Sequence, residues 1–235
     1  MTFNPTDPCI VTCTDPDSPV SEQYRKLKTV LLKMTKKDFR NTVLVTSALS
    51  GEGKSITSAN LAVMLAREYG QTVLLVDADL RKPSLGNYLG LKPVYGLADS
   101  LYDGIDLGRA IVKTGFPKLS FLSAGKKVED PAELLSSHRM KDLLTEIKHR
   151  YADRYIIIDT PPALLYAETL ALSALVDGVL IVVKEGVATL KGIGDMLETL
   201  KGALLLGIVY NDMSTASLDG SYSHYSKYYK KNQKQ

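Results

Sequence analysis

The chain has 235 residues, of which 45% are hydrophobic and 23% are charged, and its formal net charge is +3. These values are typical of one globular domain with a full core, and the small charge argues against an extended nucleic-acid-binding surface. Cys9 and Cys13 lack the additional ligands that a zinc site needs, which predicts free thiols in a reducing compartment. The sequence has no run of eighteen apolar residues and no secretion signal, so we expect a cytoplasmic protein, or one that a partner recruits to a membrane.

The amino-terminal part of the sequence divides into two segments. Residues 1–17 contain three prolines and little periodicity, which predicts a flexible leader. Ser18 and Pro19 then have the residue types of a helix start, with serine as the N-cap and proline at the first helical position. Apolar residues recur at helical spacing in the following stretch and predict one buried stripe, formed by Tyr24, Leu27, Leu31 and Met34.

From residue 42 onward, short apolar runs alternate with helical patterns. Strands are predicted at 42–46, 72–76, 119–122, 155–158, 178–183 and 205–210, and helices at 54–69, 131–150 and 189–201. This alternation indicates an α/β fold with a mostly parallel sheet and helices on both of its faces. We therefore predict a single domain over residues 18–213, followed by a flexible, tyrosine-rich tail over residues 214–235.

A glycine-rich stretch, Ala48-Leu-Ser-Gly-Glu-Gly-Lys-Ser55, lies between the first predicted strand and the first helix of this alternation. In such a unit the backbone N–H groups and the positive end of the helix dipole converge on one point, which suits a polyphosphate. Lys54 can reach the terminal phosphates, and the hydroxyl of Ser55 can hold the accompanying Mg²⁺. The stretch predicts a P-loop NTPase fold that binds ATP through Ser50, Gly51, Glu52, Gly53, Lys54, Ser55 and Ile56.

Three carboxylates follow two of the predicted strands. Asp77 and Asp79 end the run Thr72-Val-Leu-Leu-Val, and Asp159 ends the run Tyr155-Ile-Ile-Ile. The carboxyl ends of parallel strands are where ligands bind in open α/β sheets, so three acids near one phosphate loop predict a magnesium site. Any one of them could instead cap the next helix.

The order of these motifs resembles the deviant-Walker branch of P-loop proteins, and within it the bacterial tyrosine kinases of capsule and exopolysaccharide biosynthesis. The resemblance covers roughly residues 18–229, and its other specific pieces are Asp130-Pro-Ala-Glu-Leu-Leu135, Asp159-Thr-Pro-Pro162 and the tyrosine-rich end. Relatives that partition chromosomes or place septa carry a lysine where this chain has Leu49, which favours the kinase group. The resemblance implies a non-specific protein-tyrosine kinase that uses ATP and Mg²⁺.

The resemblance also implies roles for individual residues. Lys54, Asp77, Asp79 and Asp159 form the catalytic set, and Ser55, Asp79 and Asp159 form the metal shell. We favour Asp77 as the base that accepts the tyrosine proton, with Asp79 as the second choice. Arg81 is assigned to the phosphates, although it could be a solvated strand exit. Asn211 is assigned to the adenine ring, although asparagine also commonly forms turns.

The predicted acceptors are the tail tyrosines Tyr222, Tyr225, Tyr228 and Tyr229, which lie among small polar and basic residues. A flexible tail can enter a neighbour's active site at high effective concentration, which predicts autophosphorylation between subunits. The alternative is a basic, aromatic segment that binds polyanions by stacking, but we expect no nucleic-acid partner.

An oligomer interface is predicted in the first long helix. Glu22, Arg25 and Lys28 are similar to the family's glutamate and two arginines at three-residue spacing, by which subunits close into a ring. Lysine at the third position lacks the bidentate fork of arginine, and a solvated helix face is the alternative. The resemblance further implies a membrane-embedded polysaccharide co-polymerase that activates the kinase and recruits it to the inner face of the membrane.

Two other functions remain open at this stage. One is a partitioning or septum-type P-loop ATPase, against which Leu49 and the lack of an amphipathic tail helix argue. The other is a non-catalytic adaptor that needs ATP only to assemble. Both share the predicted fold and nucleotide site, so they differ from a kinase only in whether a tyrosine receives phosphate.

Overall fold

The computed structural model of the protein describes residues 7–36, 40–150 and 153–214. Its sheet has seven strands in the order β3-β4-β2-β5-β1-β6-β7. The strands are β1 (Thr42–Ser47), β2 (Thr72–Asp77), β3 (Ile111–Lys113), β4 (Leu119–Leu122), β5 (Arg154–Asp159), β6 (Gly178–Lys184) and β7 (Leu205–Asn211).

Ten helices accompany the sheet in the described residues. They are α1 (Val11–Thr14), α2 (Pro19–Thr35), α3 (Lys54–Ala66), α4 (Leu85–Leu89), α5 (Leu97–Asp103), α6 (Leu107–Ala110), α7 (Pro131–Ser136), α8 (His138–Arg150), α9 (Ala167–Ser173) and α10 (Leu190–Thr199). In the ranges that the structure covers, no helix combines the length and the apolar character needed to span a membrane.

The sheet is parallel except for β3, which pairs antiparallel with β4. Its two faces are covered by separate hydrophobic clusters. One contains buried residues of α5, α8, α9 and α10, and the other contains buried residues of α3 and α4 with Leu31 of α2. The predicted fold class, an α/β P-loop fold with helices on both faces of a mostly parallel sheet, is confirmed.

Helix α2 begins as its sequence predicts. The Ser18 side chain accepts a hydrogen bond from the Ser21 N–H, and a proline occupies the first turn. Tyr24 and Leu31 are buried as expected, but Met34 is 45% exposed and Thr35 takes its place in the interior. The apolar stripe is therefore rotated at its carboxyl end relative to the prediction.

The segment before α2 packs more closely than a flexible leader would. Ile10 and Thr12 are fully buried. The Asn60 side chain, in the middle of α3, accepts hydrogen bonds from the Thr12 N–H at 3.0 Å and the Thr12 hydroxyl at 2.9 Å, and donates one to the Cys9 carbonyl at 2.8 Å. The prediction of flexibility is therefore wrong for residues 10–14, because a side chain 48 positions away in the sequence fixes this segment.

The structure differs from the predicted elements in two other places. The helix expected over 131–150 is two helices, because Ser137 between them has an extended backbone at φ −68° and ψ 157°. The sequence predicts no element between β2 and β4. In the structure, this stretch contains three short helices and the edge strand β3. Of these elements, α4 begins beside the carboxyl end of β2, where its first N–H groups donate to Asp77.

Candidate functional site

The glycine-rich stretch forms the connection between β1 and α3, as predicted. Gly51 and Gly53 have left-handed φ values of +84° and +90°. A β-carbon on Gly53 would lie 2.2 Å from Asn211 Nδ2, so any other residue would displace the Asn211 amide in addition to adopting an unfavourable φ. Ala48, where the common pattern has glycine, is fully buried in the core. The amino end of α3 thus meets the loop in the geometry that suits an anionic group.

Lys54 brings two of the predicted carboxylates together. Its Nζ lies 3.0 Å from Asp79 Oδ2 and 3.9 Å from Asp159 Oδ2, and only 12% of its side chain is exposed. Burial alone would lower the pKa of Lys54, but attraction by Asp159 and Asp79 outweighs it and the pKa is raised. The ammonium group is therefore held charged at the mouth of the loop.

Asp77 lies beside these groups at the end of β2. It is the register partner of Asp159 on the adjacent strand β5, and it is 1% exposed. Burial and the neighbouring Asp159 charge raise the pKa of Asp77 to about 8. Its oxygens also accept hydrogen bonds from the N–H groups of Ser84 and Leu85 at 3.1 Å, so Asp77 caps the start of α4 as well. Asp77 therefore caps the next helix and also lies in the cluster of acids at the predicted site, so these two roles do not exclude each other.

Asp159 has one oxygen suited to a cation. It is fully buried, and its Oδ2 makes no hydrogen bond in the described part of the chain. The other oxygen accepts a hydrogen bond from the Ser58 hydroxyl at 3.2 Å. Burial raises the pKa of Asp159 to about 6, although Lys54 opposes this shift. The Oδ2 atom thus has the Lys54 ammonium at 3.9 Å but no hydrogen bond, and a bound cation would supply a closer partner.

Magnesium fits this donor set, provided that other ligands complete its shell. Mg²⁺ is typically held by one or two carboxylates together with phosphate oxygens and water, rather than by an all-protein cage. Consistent with this, no group of three or more histidine, cysteine or acidic side chains with metal-binding geometry occurs in residues 7–36, 40–150 and 153–214. Asp159 and the nearby Ser55 hydroxyl, which lies 3.2 Å from Lys54 Nζ, are the protein groups best placed to contribute.

Two predicted nucleotide-binding side chains point elsewhere in this structure. The Glu52 side chain is fully buried and accepts hydrogen bonds from backbone N–H groups, so only its main chain is available to a phosphate. The Asn211 side chain donates one hydrogen bond to the Glu52 carbonyl at 2.9 Å, which places its amide beside the loop and leaves its second N–H and its oxygen for other partners. Ser50 is exposed on the loop and Ile56 is half-buried in α3.

Arg81 has partners that the sequence did not predict. Its Nε donates to Glu168 Oε1 at 2.5 Å, and its guanidinium lies 4.8 Å from the centre of the Tyr166 ring. Glu168 is 1% exposed, and its second carboxylate oxygen has no hydrogen bond within the described residues. The resemblance offers one signal for this loop, since Glu168 stands where family members usually carry aspartate, but it gives Glu168 no role. The contact joins the segments that follow β2 and β5.

The three candidate interface residues of α2 occupy two different environments. Glu22 and Arg25 pair with each other on the exposed side of the helix. Lys28 Nζ instead lies 2.5 Å from Oε2 of Glu68, two residues after the end of α3. The Lys28 side chain is 17% exposed. Lys28 therefore joins α2 to α3 within the chain. The predicted acceptors Tyr222, Tyr225, Tyr228 and Tyr229 lie outside the described residues.

Comparison with known proteins identifies the relatives of this arrangement. A family model described as an AAA domain matches residues 41–205. The tyrosine-protein kinase YwqD of Bacillus subtilis (strain 168) is 38% identical over 75% of this chain and 73% of its own length. The succinoglycan biosynthesis transport protein ExoP of Rhizobium meliloti (strain 1021) is 32% identical over 92% of this chain, which spans only 29% of its length.

A solved structure has the same architecture. The kinase domain of the Escherichia coli tyrosine kinase ETK is 28% identical and superposes with a TM-score of 0.80, covering 90% of this chain and 84% of that one. The likeness therefore extends over most of the fold.

Proposed function

The chain belongs to the bacterial tyrosine-protein kinases, within the AAA-domain family, and from that premise we propose that it is an autokinase which phosphorylates its own tail tyrosines between subunits. The observation that carries this proposal is the cluster of Lys54, Asp77, Asp79 and Asp159 at the mouth of the glycine-rich loop. A cation, three acids and a phosphate-binding turn are the parts that phosphoryl transfer needs.

The loop and Lys54 bind and orient the phosphates of ATP in this proposal. The backbone N–H groups at the start of α3 take the anionic oxygens, and Lys54 exchanges its contact with Asp79 for the terminal phosphates. Since phosphoryl transfer depends mainly on positioning and charge neutralisation, these groups supply much of the catalysis. Magnesium, held by Ser55, Asp159 and Asp79, would neutralise phosphate charge when bound.

Asp77 is the proposed base. A tyrosine hydroxyl has a reference pKa near 10, and a base works best when its own pKa is not far below that of the proton donor. The raised pKa of Asp77, about 8, reduces this gap compared with an ordinary aspartate, and a bound Mg²⁺ nearby would favour the ionised form that accepts the proton. Three of the roughly four acceptor positions on its carboxylate are used by the N–H groups of Asp79, Ser84 and Leu85, which leaves one for a substrate hydroxyl.

The acceptors are Tyr222, Tyr225, Tyr228 and Tyr229, and transfer takes place in trans within a homo-oligomeric ring. Two observations support this. The predicted tail starts three residues after Asn211, which contacts the phosphate loop and so tethers the acceptors near a site, and the exposed Glu22–Arg25 pair on α2 is available to a second subunit that would supply that site in trans. Phosphorylation adds nearly two negative charges per tyrosine, which would repel the tail from an acidic site after transfer.

The biological setting is proposed from the relatives. ExoP is named as a succinoglycan biosynthesis transport protein, and this chain matches a part of it. We place the kinase in the control of polysaccharide polymerisation or export, at the inner face of the cell membrane and activated by a membrane-embedded partner. Such a partner would recruit a cytoplasmic kinase domain to the polymer export machinery.

A mixing experiment tests both the acceptor and the trans mechanism. Lys54→Met keeps the tail but removes the phosphate-binding ammonium, and a second variant with all four tail tyrosines replaced by Phe keeps the site but removes the acceptors. Each is incubated with ATP and magnesium, alone and mixed, and phosphotyrosine is mapped by mass spectrometry. We expect the wild type and the mixture to be labelled in the tail, and each variant alone to lose most labelling.

The outcomes separate the alternatives. Labelling of the tail-substituted variant at the wild-type level would reject the acceptor assignment. An unlabelled mixture together with a labelled wild type would place transfer within one chain. ATP hydrolysis without any phosphotyrosine would favour a partitioning-type ATPase, and ATP binding without either reaction would favour an adaptor.

A further inference from the structure

The phosphate loop contains a buried acid that the proposed chemistry does not use. Glu52 lies between Gly51 and Gly53, and its side chain is fully buried. Within the ranges that the structure covers, no lysine, arginine or histidine nitrogen lies within 4.0 Å of its carboxylate. Burying a carboxylate costs free energy unless hydrogen bonds replace its hydration. The hydrogen bonds that the Glu52 carboxylate makes therefore indicate what it does in the fold.

Each oxygen of this carboxylate accepts a backbone hydrogen bond from a different direction. Oε2 accepts from the Leu49 N–H at 2.6 Å, which closes the loop on itself. Oε1 accepts from the Lys184 N–H at 3.3 Å, which ties the loop to the end of β6. The side chain thus supplies acceptors for two N–H groups and fixes the loop to the sheet edge.

The main chain of the same residue is held from a third direction. The Glu52 carbonyl accepts a hydrogen bond from Asn211 Nδ2 at 2.9 Å, at the end of β7. Asn211 also lies so close to Gly53 that any β-carbon there would collide with it. The loop is therefore attached to both strands at this edge of the sheet through protein contacts alone.

Such attachment matters because a loop of free N–H groups binds an anion well only if they already point to one place. Ordering a flexible loop at the moment of binding would reduce affinity, whereas a loop held in its bound shape avoids that cost. We propose that Glu52 is a positioning residue, which presets the phosphate loop by linking Leu49 to Lys184. This inference rests on the proposed function of the loop as a nucleotide site.

Glutamine at position 52 tests the inference with the smallest change in shape. Glu52→Gln leaves one oxygen, so its NH₂ group faces one of the two backbone donors and that N–H loses its acceptor. We expect the Kd for Mg-ATP, measured by calorimetric titration, to rise about tenfold. We also expect KM for ATP to rise by a similar factor with kcat changed less than threefold, since a preset loop aids ground-state and transition-state binding alike.

Two further variants make the result specific. Glu198→Gln removes the same charge from the exposed surface of α10 and should leave the Kd unchanged. Glu52→Asp keeps the carboxylate but is one methylene shorter and cannot reach both the Leu49 and the Lys184 N–H groups, so it should also weaken binding. It replaces the glutamine variant in the test if that variant does not fold. All titrations are run well below the unfolding temperature of each variant, because a purely structural loss lowers that temperature without changing the affinity of folded protein.

The result that overturns the inference is a Kd for both Glu52 variants within twofold of the wild type. A wild type that binds no ATP would instead overturn the proposed function. Weaker binding by both Glu52 variants, with normal binding by Glu198→Gln, would support the positioning role.

Discussion

Asp77 and Asp159 are direct register partners on the adjacent parallel strands β2 and β5, and both are buried. Burial raises the pKa of both carboxyl groups, the Asp159 charge raises that of Asp77 further, and Lys54 only partly offsets these shifts. The raised pKa values mean that the fold loses stability at pH values where the unfolded chain would ionise these groups. Groups that bind charged ligands commonly carry such a cost in stability.

The first prediction is a loss of stability with rising pH in protein free of nucleotide and magnesium. Between the ordinary aspartate pKa of 3.8 and about 8, folded Asp77 keeps a proton that the unfolded chain releases. The free energy of unfolding therefore falls as pH rises, by up to about 1.4 kcal/mol per pH unit, and stops falling above pH 8. Asp159 contributes with the same sign up to about pH 6.

Urea unfolding from pH 5 to 9 in chelator measures this slope. Asp77→Asn should flatten it, whereas Asp142→Asn, on the exposed side of α8, should not. Identical slopes for the wild type and Asp77→Asn would show that Asp77 does not titrate in this range.

The second prediction compares the two glycines of the phosphate loop. Both have positive φ, but a β-carbon on Gly51 would meet nothing within 4 Å, whereas one on Gly53 would meet Asn211. Gly51→Ala should lower the free energy of unfolding by about 1 kcal/mol through backbone strain alone. Gly53→Ala should lower it by roughly 1 kcal/mol more, because Asn211 must move and lose its bond to the loop. Equal losses in denaturant unfolding would contradict the close approach.

The third prediction concerns Arg81 and its buried partner. Arg81→Ala leaves the Glu168 carboxylate unpaired in the interior, so we expect a loss of about 2 kcal/mol, less than for a fully buried pair because Arg81 is partly exposed. Adding Glu168→Gln should recover part of the loss in a double-mutant cycle. Arg109→Ala is the control, since Arg109 also lies over a ring, that of Tyr95, but has no buried acid. Additive effects would mean that the pair contributes nothing.

The fourth prediction concerns the oligomer. Glu22→Ala combined with Arg25→Ala should lower the mass measured by light scattering if the exposed pair lies at a subunit interface. The matched control is the exposed Lys191–Asp195 pair of α10, also replaced by alanines. Lys28→Ala should in addition lower the free energy of unfolding by about 0.5 kcal/mol, because Lys28 joins α2 to α3. A mass unaffected by the Glu22 and Arg25 changes would remove the proposed interface.

The elements that local sequence determines were predictable. The apolar runs of β1, β2 and β5 and the glycine turn were assigned within one residue of their observed ends, and Lys54 does lie beside Asp79 and Asp159. The edge strand β3 was missed because three residues paired at a sheet edge have no distinct pattern. The break at Ser137 was missed because the helical periodicity continues across it.

The details of the site that sequence did not predict depend on contacts between distant residues. Glu52 bonds to Lys184 and Arg81 to Glu168, pairs that are 132 and 87 positions apart. The direction of the Glu52 side chain is set by where β6 ends, which no local pattern specifies. Such contacts become visible only once the strands are placed in order.

The hydrogen bonds from Thr12 to the Asn60 side chain connect the segment before α2 to the helix that begins at the glycine-rich loop. Helix α3 starts at Lys54, and Asn60 lies about 9 Å along it at 1.5 Å per residue. A helix of this length is stiff, so a displacement of the segment around Thr12 would move the amino end of α3 and the glycine-rich loop next to it. The Thr12–Asn60 contact thus lies less than two turns of α3 from Lys54, at the end of the glycine-rich loop.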